Sequence, residues 1–132
     1  MRALDFETIS QALWRISPPE ADCVVGIASG GIVPASLVAH QLRLPLYLLT
    51  INFRAPDNSP QRSVPELLQE LPPIPPGARI LLVDDVSVTG KTLDLAKSLL
   101  VGHPVTTLAL KGRADLVLFP EIGECVHWPW KV

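Results

Sequence analysis

The chain has 132 residues, 48% of them hydrophobic, and a formal net charge of −2. This length and hydrophobic share fit one globular domain with its own core, and they exclude an intrinsically disordered chain. The near-neutral charge lacks the basic excess of proteins that bind nucleic acids or anionic membrane surfaces, so we expect no nucleic acid and no membrane as partner.

The sequence also lacks the marks of a membrane or secreted protein. No stretch reaches about 18 uncharged apolar residues, and the N-terminal MRALDFETIS carries acids where a signal peptide has an apolar run. Cys23 and Cys125 stand far apart and show no metal-ligand spacing, which predicts two buried free thiols in a reducing compartment. We therefore expect a soluble, cytoplasmic protein.

The first half of the chain predicts a helix followed by a strand–helix–strand unit. Apolar residues recur at helical spacing over 4–16. Cys23–Ala28 is a short apolar run typical of a buried strand, and Ser29-Gly30-Gly31 predicts a turn. Pro34 suits the first turn of a second helix, and Leu46–Ile51 predicts a second strand.

Residues 52–78 have a different character, because seven of the 14 prolines lie between Pro56 and Pro76. This composition predicts a long surface connection, with a short helix at Val64–Glu70. A connection of this length in a small domain is often functional. A proline-stiffened excursion without a role fits the composition equally well.

The second half predicts another strand–helix–strand unit and two shorter strands. The predicted elements are a strand at Arg79–Val83, a helix at Thr89–Val101, a strand at Val105–Leu110, and short strands at Leu116–Phe119 and Cys125–Trp128. This alternation predicts an α/β fold, a mainly parallel twisted sheet with helices on both faces, in a single domain over residues 1–132.

Two acids directly follow the strand at Arg79–Val83. Ligands of open parallel sheets bind beyond the carboxyl ends of the strands, and adjacent carboxylates there are unfavourable unless a cation or hydroxyl groups meet them. Ribose hydroxyls or Mg²⁺ would suit Asp84 and Asp85. Alternatively, either aspartate caps the following turn.

The residues after the acids form a candidate phosphate cradle. Val88-Thr89-Gly90-Lys91-Thr92 opens a helix with a glycine and two hydroxyl groups, and helix-start amides bind phosphate. Thr89 as a simple helix cap is the alternative. The GKT triplet also matches the end of a phosphate-loop motif, but Asp85 occupies the position of that motif's first glycine, which disfavours a nucleoside triphosphatase.

These residues resemble a known family. Ile80–Thr92 (ILLVDDVSVTGKT) is similar to the PRPP-binding signature of type I phosphoribosyltransferases, with Ser87 where an aliphatic residue is usual. Cys23–Leu42 resembles the first strand, pyrophosphate loop and following helix of the same family.

The resemblance implies roles for these residues. Asp84 and Asp85 would be the catalytic pair that holds the ribose hydroxyls, and they would meet Mg²⁺ indirectly because the metal arrives with PRPP. The pyrophosphate would lie against Ser29, Gly30 and Gly31, with Arg54 or Arg62 as its cation. The ribose 5-phosphate would lie on the cradle residues Val88, Thr89, Gly90, Lys91 and Thr92.

The C-terminal segment resembles that of small bacterial and archaeal 6-oxopurine enzymes. By that resemblance Lys111 meets the keto oxygen of the base, Val126 packs on the purine ring, and the backbone near Cys125 reads its exocyclic groups. Residues 111–132 would form a small hood, with or without the N-terminal helix. Trp128 and Trp130 would lie in the hood or at the interface of a homodimer.

Val88 departs from the 6-oxopurine pattern, which usually has an aspartate there as an acid/base group. A valine exchanges no proton, so three functions stay open. The first is a purine phosphoribosyltransferase of nucleotide salvage, which makes a nucleoside monophosphate and pyrophosphate from PRPP and a base. The second is a non-catalytic module that senses PRPP or a nucleotide, and the third is a partner-dependent subunit.

Overall fold

The computed structural model describes residues 2–52, 66–67 and 70–131. Within these residues, three helices and eight strands follow one another. In order they are β1 (Arg2–Ala3), α1 (Phe6–Arg15), β2 (Cys23–Ala28), α2 (Ile32–Leu42), β3 (Leu46–Asn52), β4 (Glu66–Leu67), β5 (Ile80–Ser87), α3 (Lys91–Leu99), β6 (Val105–Gly112), β7 (Leu116–Val117) and β8 (Val126–His127).

Six of the strands form the main sheet, in the order β4-β3-β2-β5-β6-β7. All neighbours in it run parallel except β3 and β4, which pair antiparallel. The remaining strands, β1 and β8, pair in parallel as a separate two-stranded sheet. The predicted α/β fold with a mainly parallel sheet is confirmed.

The sheet is covered on both faces because buried residues alternate along its strands. On β5, Leu81 and Val83 belong to a core cluster that includes residues of α1 and α2. Ile80 and Leu82 point to the opposite face, where they join a second cluster with residues of α3. Strands buried on both faces read as unbroken apolar runs, which explains the composition of β2 and β5.

A charged cluster ties β2 and β5 together at the end where both strands begin. The guanidinium of Arg79 donates to both carboxylate oxygens of Asp22, at 3.0 and 2.9 Å, and to Glu20 at 3.0 Å. These bonds lower the pKa of Asp22 to about 2. The two strands are therefore held in register at one end of the sheet.

The main differences between the predicted and the observed elements concern β5, α3, β4 and β1. The strand predicted to end at Val83 continues as β5 to Ser87, so both aspartates lie inside it, and the helix predicted from Thr89 begins at Lys91. The short helix predicted at Val64–Glu70 is wrong where the chain is described, since Glu66–Leu67 is a strand. The strand β1 was not predicted, because two residues carry no periodicity.

Two expectations about burial are corrected as well. Cys23 is buried as predicted, but Cys125 is exposed. Trp128 is only 1% exposed and belongs to the core, so it is not a surface aromatic, while Trp130 is half-buried and stacks on it. In the described parts of the chain, no helix has the length and apolar character needed to cross a bilayer.

Candidate functional site

The candidate site begins where β2 and β5 separate. Their pairing ends at Gly26 and Val83, whereas β5 continues to pair with β6 as far as Ser87 and Gly112. Beyond Val83, β5 therefore has a strand neighbour on one side only. The space on the other side is taken by the turn at Ser29–Gly31.

Two glycines let this turn approach β5 closely. A Cβ added to Gly30 would lie 2.5 Å from a carboxylate oxygen of Asp85, and one added to Gly31 would lie 2.7 Å from the Val83 carbonyl oxygen. Neither position has room for a side chain. The peptide bond that leads into the turn, Ala28–Ser29, is cis. The glycines predicted to hold pyrophosphate thus lie beside the acids predicted to hold ribose.

The two aspartates are held by the backbone that follows each of them. The Asp85 N–H donates to the Asp84 carboxylate at 2.8 Å, and the Val86 N–H donates to the Asp85 carboxylate at 2.7 Å. Asp84 is 7% exposed and Asp85 9%. Burial, together with the neighbouring charge of Asp85, raises the pKa of Asp84 well above its ordinary value.

The loop after β5 has the geometry of an anion cradle. Gly90 takes a left-handed conformation, with a φ of 87°, at the N-cap of α3, and the first helical bond runs from the Asp94 N–H to the Gly90 carbonyl at 2.8 Å. The amides between them have no carbonyl partner within the helix. Thr89 accepts a long bond of 3.3 Å from the Lys91 N–H, and Val88 is 73% exposed.

One cavity of about 620 Å³ joins most of the predicted site residues. Its lining includes Asp85 of the acid pair, all five cradle residues, and all three residues predicted to meet a base. In chain order, the residues that line it are Asp85, Val86, Ser87, Val88, Thr89, Gly90, Lys91, Thr92, Lys111, Cys125, Val126, Trp128 and Lys131. The cradle and the predicted base wall, which consists of Lys111, Cys125 and Val126, therefore face the same space.

Other predicted site residues do not line this cavity. Asp84 precedes Asp85 in β5 and is buried, and the turn at Ser29–Gly31 adjoins the site because Gly30 lies too close to the Asp85 carboxylate to carry a Cβ. Arg54 and Arg62, the proposed pyrophosphate cations, lie outside the described residues.

Sequence reasoning missed several lining residues. Lys131 is the main one, because it adds a second cation to Lys111, and its charge acts on Asp84 against the effect of burial. The position of Lys131 as a basic residue directly after Trp130 is the sequence signal that would have identified it. Ser87 was noted only as a departure, yet its hydroxyl is buried with no polar partner in the part of the chain that the structure describes.

The comparisons with known proteins identify the family. Residues 7–110 match the phosphoribosyl transferase domain family, which covers well over half of the chain. The chain therefore belongs to the type I phosphoribosyltransferase family, as its signature indicated.

Curated relatives in this family carry different names. The chain is 33% identical, over 76% of its own length, to an adenine phosphoribosyltransferase of Xanthomonas campestris, of which it spans 61%. It is 28% identical over 83% of its length to an orotate phosphoribosyltransferase of Sulfurisphaera tokodaii, of which it spans 53%. It is 23% identical over 81% of its length to a xanthine-guanine phosphoribosyltransferase of Idiomarina loihiensis, of which it spans 69%.

Two solved structures show the same fold at low identity. A purine phosphoribosyltransferase from Pyrococcus horikoshii is similar with a TM-score of 0.80 and 22% identity, over 97% of this chain and 92% of that one. A protein from Neisseria gonorrhoeae with bound ppGpp is similar with a TM-score of 0.73 and 22% identity, over 99% of this chain and 90% of that one.

Replacing Asp84 by asparagine should stabilise the free protein at neutral pH. The raised pKa means that the folded state binds the Asp84 proton more tightly than the unfolded chain does. The free energy of unfolding therefore falls as the pH rises above the ordinary carboxyl pKa, because the unfolded chain ionises more readily than the folded protein. Each unit by which the Asp84 pKa is raised lowers this free energy by about 1.4 kcal/mol. We expect Asp84→Asn to raise Tm by about 3 °C or more at pH 7.5.

The pH dependence of Tm distinguishes a gain that comes from the ionisation of Asp84 from a gain with another cause. The gain in Tm should shrink as the pH falls toward the ordinary carboxyl pKa of about 4, because below that pH the wild-type carboxyl becomes protonated in both states. Glu121→Gln, at an exposed position, is the control and should show no such trend. A gain for Asp84→Asn that stays constant with pH would contradict the assignment.

Replacing Gly30 by alanine should destabilise the protein, because the new methyl group would press on the Asp85 carboxylate. Asp85 is buried and accepts a bond from Val86, so it has little freedom to move away. We expect a loss of about 1–3 kcal/mol in the free energy of unfolding, measured in urea. Gly123→Ala is the control, since no atom lies within 4 Å there, and its change should stay within about 0.5 kcal/mol.

Proposed function

We propose that this protein is a phosphoribosyltransferase that transfers the 5-phosphoribosyl group of PRPP to a purine base in nucleotide salvage. The observation that carries this proposal is the single cavity of about 620 Å³, which has Asp85, the phosphate cradle and the wall of Lys111 and Val126 on its sides. Each side of the cavity corresponds to one part of the reactants: Asp85 to the ribose, the cradle to the 5-phosphate, and the wall to the base.

The reaction is a substitution at the anomeric carbon of the ribose. A ring nitrogen of the base forms the new bond, the carbon–oxygen bond to pyrophosphate breaks, and pyrophosphate leaves with the electron pair. Positive charge develops on the sugar as the bond breaks. Asp84 and Asp85, which hold the ribose hydroxyls in this proposal, place negative charge beside that sugar before the reaction begins.

The cradle fixes the other end of the sugar. The amides of the first turn of α3 and the hydroxyls of Thr89 and Thr92 bind the 5-phosphate, with Lys91 as a further cation. Phosphate and ribose hydroxyls held at two points orient the anomeric carbon toward the base wall. Orientation of this kind accounts for a large part of the rate in such reactions.

The leaving group would lie against the turn at Ser29–Gly31. Since Gly30 contacts the Asp85 carboxylate, a pyrophosphate on this turn is within reach of the acid pair. Asp84 and Asp85 would meet Mg²⁺ indirectly, since the metal arrives with PRPP, and a bound metal would neutralise charge on the leaving pyrophosphate. Arg54 is our proposed further cation.

The base would lie between Val86 of β5 and the segment around Val126, with Lys111 at its edge. A lysine donates and cannot accept, so it suits a keto oxygen better than an amino group. The curated relatives include adenine, orotate and xanthine-guanine enzymes. We therefore propose a purine base and put the 6-oxopurines first.

A sensing module of the same fold is the second candidate. Val88 favours it, because the residue at the mouth of the cavity has no proton to exchange. The similarity to the ppGpp-bound Neisseria protein supports a nucleotide ligand. In this alternative the same cavity binds PRPP or a nucleotide without turnover.

The assembly, the location and the hood remain proposals. We propose a homodimer, a cytoplasmic location, and a hood over the base formed by the segment from about residue 111 to 132. The pairing of β8 with β1 supports the inclusion of the N-terminal segment in that hood.

A base panel tests the proposed reaction. The protein is incubated with Mg²⁺, PRPP and each of adenine, hypoxanthine, guanine, xanthine and uracil, and pyrophosphate release is measured. We expect turnover with at least one purine. Asp85→Asn and Thr89→Val should each weaken PRPP binding by about 10-fold or more. Thermal stabilisation by PRPP without turnover would instead support the sensor.

Replacing Val88 by aspartate should increase turnover with 6-oxopurines by about 10-fold or more, because it supplies an acid/base group at the mouth of the cavity. Val88→Asn is the matched control, since asparagine has the same shape as aspartate and exchanges no proton. Both substitutions should leave the KM for PRPP within about 2-fold. Equal rates for the two variants would contradict a role in proton transfer.

A further inference from the structure

The strand β1 contacts the base wall but has no part in the reaction described so far. The Arg2 N–H donates to the Cys125 carbonyl at 3.0 Å, and the Leu4 N–H donates to the His127 carbonyl at 3.3 Å. Cys125 and Val126 line the cavity. The N-terminal segment therefore binds the backbone of the wall, while its residues 2–5 are not among those that line the cavity.

The bonds to β1 determine which backbone groups of the wall are left for a ligand. Backbone groups of successive residues in a strand point to opposite edges. Because the ladder uses the carbonyls of Cys125 and His127, the N–H and C=O of Val126 lie on the other edge of β8. Sequence reasoning placed the recognition of exocyclic groups on the backbone near Cys125, and the backbone groups of Val126 are the part of that segment that lies on the edge away from β1.

Among the described residues β8 pairs only with β1. A two-stranded sheet this short is not stable by itself, so the order of the wall depends on how β1 is anchored. Leu4 is buried in the core beside β1, and Asp5 caps α1 by accepting from the Thr8 N–H at 2.8 Å. The strand is thus fixed at the end that leads into α1.

An aromatic contact supports the same wall from α1. The ring of Phe6 lies 6.1 Å from that of Trp130, which stacks on Trp128 at 5.4 Å with an interplanar angle of 2°. Trp128 lines the cavity. Backbone hydrogen bonds therefore link Arg2 and Leu4 to the segment Cys125–His127. The ring contacts link Phe6, through Trp130, to Trp128 just beyond that segment.

We infer that β1 is a positioning element for the nucleobase: the Arg2 amide holds the Cys125–Val126 wall at the place where it contacts the base. This inference rests on the proposed function, in so far as the wall is taken to bind a base. The group that positions the wall is the backbone N–H of Arg2, so the side chain of Arg2 does not contribute.

The test compares proline and alanine at position 2, because proline removes the N–H donor and alanine keeps it. Every variant carries the same N-terminal affinity tag, so residue 2 lies inside the chain. Affinities for PRPP, and for inosine, guanosine and adenosine monophosphates, are measured by calorimetry. Only the nucleotides carry a base, and the best-bound one is used for the comparison.

Arg2→Pro should weaken nucleotide binding by about 3- to 10-fold and change PRPP binding by less than about 2-fold. Arg2→Ala should bind both ligands like the wild type. Ala3→Pro is a second control, since the Ala3 N–H donates no bond to β8. Unfolding temperatures within about 3 °C of the wild type show that all variants fold.

Three outcomes would overturn the inference: an equal loss of PRPP and nucleotide affinity in Arg2→Pro, no loss at all, or a similar loss in Arg2→Ala. A wild-type protein that binds PRPP but none of the nucleotides would also overturn it. Pyrophosphate release in the same preparations tests the proposed function separately. Binding of both ligands without turnover refutes the enzyme and leaves the comparison at position 2 decisive.

Discussion

The separation of β2 from β5 after Gly26 and Val83 is the constraint on which the site depends. Before that point, parallel pairing and the Arg79 cluster hold the two strands together. Beyond it, β5 continues beside β6 and carries two carboxylates without a strand on their other side. The glycine turn after β2 lies close enough to Asp85 to exclude a side chain at Gly30. The place where the sheet divides therefore brings the carboxylates and the glycine turn together at the carboxyl end of the strands, where ligands of open parallel sheets bind.

The elements that sequence reasoning predicted well are those whose local pattern has one physical explanation. Cys23–Ala28 was predicted with its observed bounds, because an apolar β-branched run before Ser29-Gly30-Gly31 reads as a buried parallel strand. The phosphate cradle stays a prediction that rests on a similar signal: a glycine and hydroxyl residues at a helix start leave amides for an anion. Both signals lie within a few neighbouring residues.

The features that were missed depend on contacts between distant parts of the chain. The strand β1 exists through its pairing with β8, more than 120 residues away, and two residues have no periodicity to show it. Asp84 and Asp85 looked like the end of a strand because carboxylates are unfavourable inside one, yet pairing with β6 extends β5 past them. Trp128 is buried because it belongs to the core cluster that contains residues of α1 and α2, and Lys131, three residues further on, lines the cavity.

Under the proposed function, the proton on Asp84 links PRPP binding to the pH of the solution. Burial holds that proton on the free protein above the ordinary pKa of a carboxyl, whereas a sugar hydroxyl or a magnesium-bound water favours the ionised form. Association would therefore expel a proton into the buffer. By linkage, affinity strengthens in more alkaline solution, and the heat of association varies with the ionisation enthalpy of the buffer chosen.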